Sequence, residues 1–231
     1  MTATVATDIA ARVAVVRERI RAASPEPDRV RLVAVTKGFG ADTVRAVLDA
    51  GVLDCGESYV QELAAKAAEI DADAGRTVWP RWHAIGRLQR NKVRKAAPFV
   101  TLWHSVDRLS LGAEIARVAP GAAVLVQVNT SGEEAKGGCT PAMAPAVVDG
   151  LLDLGLDVQG IMAMAAAGPP EEARPAFRAA RTLRDRLGLP ELSMGMSDDL
   201  DVALEEGATI VRVGRGLFGP RPPRDGARHL G

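Results

Sequence analysis

Apolar residues along this chain fall into two patterns. Short unbroken runs alternate with longer stretches in which apolar positions recur every three or four residues. The short runs are RLVAVTK (31–37), LDCGES (53–58), RWHAIG (81–86), LWHSVD (102–107), AVLVQVN (123–129), DVQGIMAM (157–164), ELSMGMS (191–197) and TIVRVG (209–214). Each is about as long as a buried strand, and several are rich in Val or Ile, so eight strands are predicted.

The longer stretches predict helices. ADTVRAVLDAG (41–51) places apolar residues at 44, 47 and 48 and stops at Gly51. SYVQELAAKAAEI (58–70) opens on Ser58 with Gln61 three residues later, the spacing of a capping box. Further helices follow at 141–155, 170–188 and 197–207, and TDIAARVAVVRERIRAA (7–23) forms one before the first strand. Strands alternating with helices predict an α/β fold, either an open doubly wound sheet or a closed barrel. The count of eight selects a single (β/α)8 TIM barrel with an extra N-terminal helix, spanning 1–231 as one domain with a loose tail from about 220 to 231.

Composition narrows the function. Hydrophobic residues make up 47% and charged residues 25%, the mix of a globular protein. Lys and Arg together number 29 and so do Asp and Glu, so no net field draws the chain to nucleic acid or to a membrane surface. Cys55 and Cys139 lie far apart and form no metal-ligand spacing with the three histidines, so no metal is expected. The N-terminal stretch lacks the pattern of a signal peptide and no apolar run approaches the length of a membrane span, which predicts a cytoplasmic protein.

The chemistry of such a barrel sits at the C-terminal ends of its strands. Lysine is scarce in this chain, five residues against twenty-four arginines, and only Lys37 closes an apolar strand run. A lysine there is partly desolvated, which favours the neutral amine and makes it a nucleophile toward aldehydes; arginine cannot do this. SMGMSDD (193–199) and VRVGRGLFG (211–219) follow strands 7 and 8, where barrels often hold a phosphate. Gly214 and Gly216 let the backbone turn its N–H groups toward an anion, and Ser197 offers a hydroxyl at a helix start. Asp198 and Asp199 are expected to point away from such a phosphate. Arg212 shares a strand face with Ile210 and Gly214, so it faces inward and needs a partner. His83, His104 and Cys55 read as buried core residues. An amine, a phosphate cradle and a buried arginine point to one ligand that is both an aldehyde and a phosphate.

These residues lie in motifs that resemble, over nearly the whole chain, the YggS/PROSC family of pyridoxal 5′-phosphate (PLP) homeostasis proteins. The matching segments are VAVTK, GESYVQE, WHAIGRLQRNK, HSVD, NTSGEEAKGG, SMGMSDD and VRVGRGLFG. The resemblance implies a barrel like the N-terminal domain of alanine racemase, carrying PLP as an imine on Lys37. It implies that Ser197 and the backbone N–H groups of Gly214 and Arg215 hold the phosphate and that Arg212 faces the pyridine nitrogen. A guanidinium there disfavours protonation of that nitrogen, which makes PLP a weaker electron sink. Lys136 matches a second family lysine near the cofactor mouth. Two positions depart from the family pattern: Ser58 stands where asparagine is usual, and Arg215 where a small residue is more common.

Three functions are compatible with a nucleophilic lysine in a barrel. The first is a non-enzymatic PLP carrier that keeps the free aldehyde low and delivers it to PLP-dependent apo-enzymes, acting as a monomer. The second is a PLP-dependent amino-acid racemase; the resemblance implies that such an enzyme also needs a tyrosine from a separate C-terminal domain. This chain ends soon after its eighth strand, and its one tyrosine, Tyr59, follows strand 2. The third is a lysine-dependent aldolase acting without PLP. The carrier is the expected function, with no catalytic residue assigned.

Overall fold

The computed structural model of the protein describes residues 3–220, and its eight strands run parallel and close into a barrel in chain order. The strands are β1 (Arg31–Val35), β2 (Asp54–Glu57), β3 (Arg81–Ala84), β4 (Val100–Val106), β5 (Ala123–Gln127), β6 (Asp157–Met162), β7 (Glu191–Ser193) and β8 (Ile210–Val213). β8 returns to β1 through the pairs Arg31↔Ile210, Leu32↔Val211, Val33↔Arg212 and Ala34↔Val213. The helices are α1 (Ala3–Ala23), α2 (Ala41–Asp49), α3 (Val60–Asp71), α4 (Arg90–Ala96), α5 (Leu109–Val118), α6 (Ala144–Asp153), α7 (Arg174–Arg186), α8 (Leu200–Glu205) and α9 (Arg215–Phe218). This is the (β/α)8 TIM barrel with an added N-terminal helix. The tail expected from about residue 220 lies, from 221 onward, outside the described residues.

All eight apolar runs become strands, but each strand stops before its run does. β1 ends at Val35, so Lys37 stands in the turn beyond it; β7 ends at Ser193, four residues short of Ser197. The final residues of each run leave the ladder and enter the βα turns, where such barrels carry function. Three helices go beyond the sequence pattern: α4, α5 and the four-residue α9. α4 is seven residues long and buries only Val93 and Ala96, too few turns to show a period. α5 buries Leu111, Gly112 and Ile115, close behind an apolar strand that masks its start. The capping box at 58–61 does not form: α3 begins at Val60 with Tyr59 as its N-cap and no side-chain cap bond.

Alternation along the strands divides the core in two. The larger part lies between barrel and helices, with Ala34, Cys55, Trp82, Trp103, Leu192, Val211 and Val213 facing outward from the strands. The barrel interior holds a small apolar cluster of Val33, Leu102, Leu125, Met162 and Ile210. The rest of that interior is polar: Asp54, His83, His104, Ser193 and Arg212 are all buried on inward-facing positions. Burial pushes the Cys55 thiol well up, so it packs as an inert core residue, as expected.

α1 packs against α2, α8 and α9 with Ile9, Val13, Val16 and Ile20 buried at helical spacing. Two arginines tie its flanks: Arg17 donates to the Gly51 carbonyl at 2.7 Å, and Arg19 pairs with Asp201 at 2.9 Å. Val16 is 3% exposed and its neighbour Val15 is 61% exposed, which gives a direct check of the face. Val16→Asp would bury an unpaired carboxylate and is expected to cost roughly 3 kcal/mol or more in urea denaturation, while Val15→Asp should change stability by less than about 0.5 kcal/mol.

Candidate functional site

One cavity of about 350 Å³ opens at the C-terminal end of the barrel, and Lys37, Ser58, Lys136, Ser197, Arg212, Gly214 and Arg215 all line it. A volume of this size lies at the small end of ligand pockets. Met164, Ala165 and Met196 supply apolar wall, with Val35 and Ile85. A larger trough of about 670 Å³ surrounds Arg45 on the outer surface, but that guanidinium is already bonded to Asp42, Glu69 and Asp73.

Closure of the barrel brings the lysine and the glycine turn together, since Lys37 follows β1 and Gly214 follows β8, and those strands pair. A Cβ at Gly214 would stand 3.3 Å from both the Cβ and the carbonyl of Val35, so a side chain there would press the two strand ends apart by a few tenths of an ångström. Next to it, the Gly216 N–H donates to Ser197 Oγ at 2.9 Å. The hydroxyl does not start a helix as the sequence pattern suggests: α8 begins at Leu200 with Asp199 as N-cap. Ser197 instead ties the loop after β7 to the loop after β8.

The sequence pattern turns Asp198 and Asp199 away from a phosphate, yet both line this cavity. Their charges are engaged locally. Asp198 forms an exposed ion pair with Arg215 at 2.5 Å, and Asp199 accepts the Met196 N–H at 2.6 Å. The Arg215 side chain is thus turned to Asp198 at the rim, and its backbone N–H lies at the start of α9.

Arg212 is 4% exposed. Its Nη1 donates to Ser193 Oγ at 2.5 Å and its Nη2 to the Ala163 carbonyl at 3.1 Å. Burial lowers its pKa to about 10, with the charge of Asp199 working against that, so it stays a cation at neutral pH. These two bonds use two of its five N–H donors.

Lys136 lies in a short turn, Glu134–Lys136, whose chain position is set by Gln127 Nε2 donating to the Lys136 carbonyl at 2.8 Å. Its ammonium is 3.7 Å from Glu133.

The sequence pattern gives Lys66 polar surroundings; the fold buries it at 6% exposure. Its Nζ donates to Glu57 at 2.5 Å and to the Thr36 carbonyl at 2.8 Å. Thr36 Oγ1 donates to the same Glu57 oxygen at 2.7 Å, while Glu57 Oε2 is buried with no hydrogen-bond partner. Burial pushes the Glu57 pKa up, against the pull of Lys66 and Thr36. On the other side of Lys37, the Gly38 N–H donates to Glu62 at 2.8 Å. Residues of α3 thus grip the backbone immediately before and immediately after Lys37. The signal is present in the sequence: Lys66 falls on the stripe of Val60, Leu63, Ala67 and Ile70, nine positions after a strand glutamate.

The family model of the alanine racemase N-terminal domain matches residues 8–222. A pyridoxal phosphate homeostasis protein of Pseudomonas aeruginosa is 41% identical over 228 residues, covering 94% of this chain and 96% of its own. One from Aquifex aeolicus is 40% identical over 227 residues, covering 91% and 97%. The solved structure of PipY from Synechococcus elongatus with PLP bound superposes with a TM-score of 0.78 at 35% identity, over 91% of this chain and all of that one. The chain belongs to this family of pyridoxal phosphate homeostasis proteins, built on the alanine racemase N-terminal domain.

The α3 grip gives a test of its own. Lys66→Met removes the cation of a buried pair and leaves the Glu57 carboxylate with only the Thr36 hydroxyl, so it is expected to cost about 3–5 kcal/mol of stability. The double change Lys66→Met with Glu57→Gln should recover part of that loss in the same denaturation measurement.

Proposed function

We propose that this protein binds PLP in the cavity at the barrel mouth, holds it on Lys37, and serves in intracellular PLP homeostasis without efficient catalysis. The observation that carries the reading is the convergence on one cavity of an amine, a buried guanidinium and an N–H-rich glycine turn. The residues fit the cofactor by their chemistry. Lys37 Nζ is the amine that bonds its aldehyde carbon, water leaving. The Gly214 and Arg215 N–H groups and the Ser197 hydroxyl suit a phosphate, and the α9 start adds a favourable dipole. Arg212, with donors to spare and no proton to give up near neutral pH, suits an unprotonated pyridine nitrogen.

When bound, PLP supplies an electrophilic aldehyde and a ring that withdraws electrons. The protein's own residues restrain that reactivity. Arg212 offers hydrogen bonds to the ring but no proton, so the ring nitrogen stays neutral and withdraws electrons less strongly. The one tyrosine of the chain, Tyr59, is the N-cap of α3 and does not line the cavity, although its neighbour Ser58 does. His83 and His104 are sealed inside the barrel. A second proton-transfer group of the kind a racemase requires is therefore not supplied by tyrosine or histidine among the described residues. Lys136 and Ser58 also line the cavity, and in this proposal Lys136 has the role of receiving the aldehyde from Lys37.

Among the described residues no helix is long and apolar enough to cross a membrane, and none of their His, Cys, Asp and Glu side chains gather into a metal site. The proposed setting is the cytoplasm, with PLP-dependent apo-enzymes as recipients and the protein acting as a monomer.

The test is spectroscopic. Addition of PLP to the wild-type chain should give a near-visible absorption band, and borohydride should fix a phosphopyridoxyl mass on the Lys37 peptide. Lys37→Ala should lose both. A wild-type chain that takes up no PLP would sink the reading, and rapid exchange of α-deuterium into added amino acids would replace the carrier with an enzyme.

A further inference from the structure

Six inward-facing side chains link the two ends of the barrel. At the N-terminal end, Arg81 grips Asp54 at 2.9 and 2.6 Å beside a separate cavity lined by Arg17, Arg31 and Leu53. Asp54 meets His83 Nε2 at 2.8 Å, His83 Nδ1 meets His104 Nε2 at 2.8 Å, and His104 Nδ1 meets Ser193 Oγ at 3.0 Å. Ser193 Oγ then accepts from Arg212 at the floor of the C-terminal cavity. Every member except Arg81 is buried.

The two ends decide where each proton lies. Asp54 is held as a carboxylate: burial alone would raise its pKa, but the bonds from His83 and Arg81 outweigh it and hold it below the usual range. A carboxylate only accepts, so His83 Nε2 carries a proton and its Nδ1 is free to accept. His104 then donates from Nε2 and accepts at Nδ1 from the Ser193 hydroxyl. The Ser193 oxygen is left as an acceptor, and a guanidinium can only donate to it. The donors and acceptors therefore match in a single direction, from Arg212 to Asp54.

We propose that Asp54, His83, His104 and Ser193 are positioning residues that fix the Arg212 guanidinium toward the bound cofactor through this one-way relay. The inference rests on PLP as the ligand of the C-terminal cavity, and it adds a role for residues outside that cavity. With the Ser193 proton turned toward His104, the Ser193 oxygen presents only lone pairs to Arg212. The remaining N–H groups of the guanidinium are aimed by two fixed bonds, to Ser193 and to Ala163. Both rings must stay neutral for the direction to hold. His83 faces Asp54, His104, Arg31 and Arg81, and His104 faces His83, Arg212 and Arg31. Burial lowers the His83 pKa despite Asp54, and burial with the neighbouring cations holds His104 well below its ordinary value.

Two measurements test the relay, one without the cofactor and one with it. Long-range ¹H–¹⁵N spectra of the apo protein, with ¹⁵N-labelled histidine, should show both rings neutral and protonated on Nε2 at pH 7. A ring protonated on Nδ1, or doubly protonated, overturns the relay. Because the folded rings refuse protons that an unfolded histidine takes up near pH 6.5, the folding equilibrium should weaken as pH falls below about 6.5, by up to about tenfold per unit per ring. Ser193→Ala cuts the relay beside Arg212. It should bind PLP roughly 10- to 100-fold more weakly and shift the absorption maximum of bound PLP. Asp54→Asn, at the far end, should change the His83 tautomer and move PLP affinity in the same direction by a smaller factor. Wild-type affinity and spectrum in a folded Ser193→Ala protein would refute the proposal. If the wild-type chain takes up no PLP, the functional reading fails alone, and the apo ring tautomers still decide the relay.

Discussion

The pairing of β1 with β8 is the contact on which the rest of the site depends. It closes the sheet, and it brings the turn after the first strand against the turn after the last. Lys37 and the Gly214–Gly216 turn, separated by most of the chain, become neighbours only through that closure. Closure also sets a packing problem. The interior of an eight-stranded barrel has room for side chains but not for water, so each inward position must be filled by an apolar group or by a polar group with partners. Here a small apolar cluster takes part of the interior, and a hydrogen-bonded set of polar side chains takes much of the rest.

That division explains what the sequence could and could not reveal. Strand count follows from the eight unbroken apolar runs, and the inward direction of Arg212 from a two-residue period that survives folding unchanged. The partners of Arg212 do not, because Ser193 and Ala163 lie elsewhere in the chain and meet it only through barrel geometry. Burial of Lys66 is only half legible: its place on the apolar stripe of α3 is in the sequence, but its partner is not. A lysine in an alanine-rich helix looks solvated until a glutamate on the adjacent strand is placed beneath it. The capping box at Ser58 was a local signal overruled by tertiary demand, since the chain must stay extended through Tyr59 before α3 can turn.

The loops at the barrel mouth show charge managed at short range. Asp198 and Asp199 border a cavity suited to an anion, an arrangement that repels unless their charges are engaged elsewhere. One is turned to Arg215 and the other to a backbone N–H, so the rim carries carboxylates without presenting a bare negative field to the cavity. The arginine that departs from the family pattern therefore reads as the counter-ion of its neighbour.

The scarcity of lysine takes on a chemical meaning beside this geometry. An aldehyde in water reacts with any accessible amine, and a protein surface studded with lysines would collect it indiscriminately. This chain carries most of its positive charge on guanidinium groups and has five lysines. Two line the cavity, one is locked against Glu57, and two, Lys92 and Lys95, sit on α4. A surface built this way leaves a reactive carbonyl few places to be lost before it reaches the amine proposed to hold it.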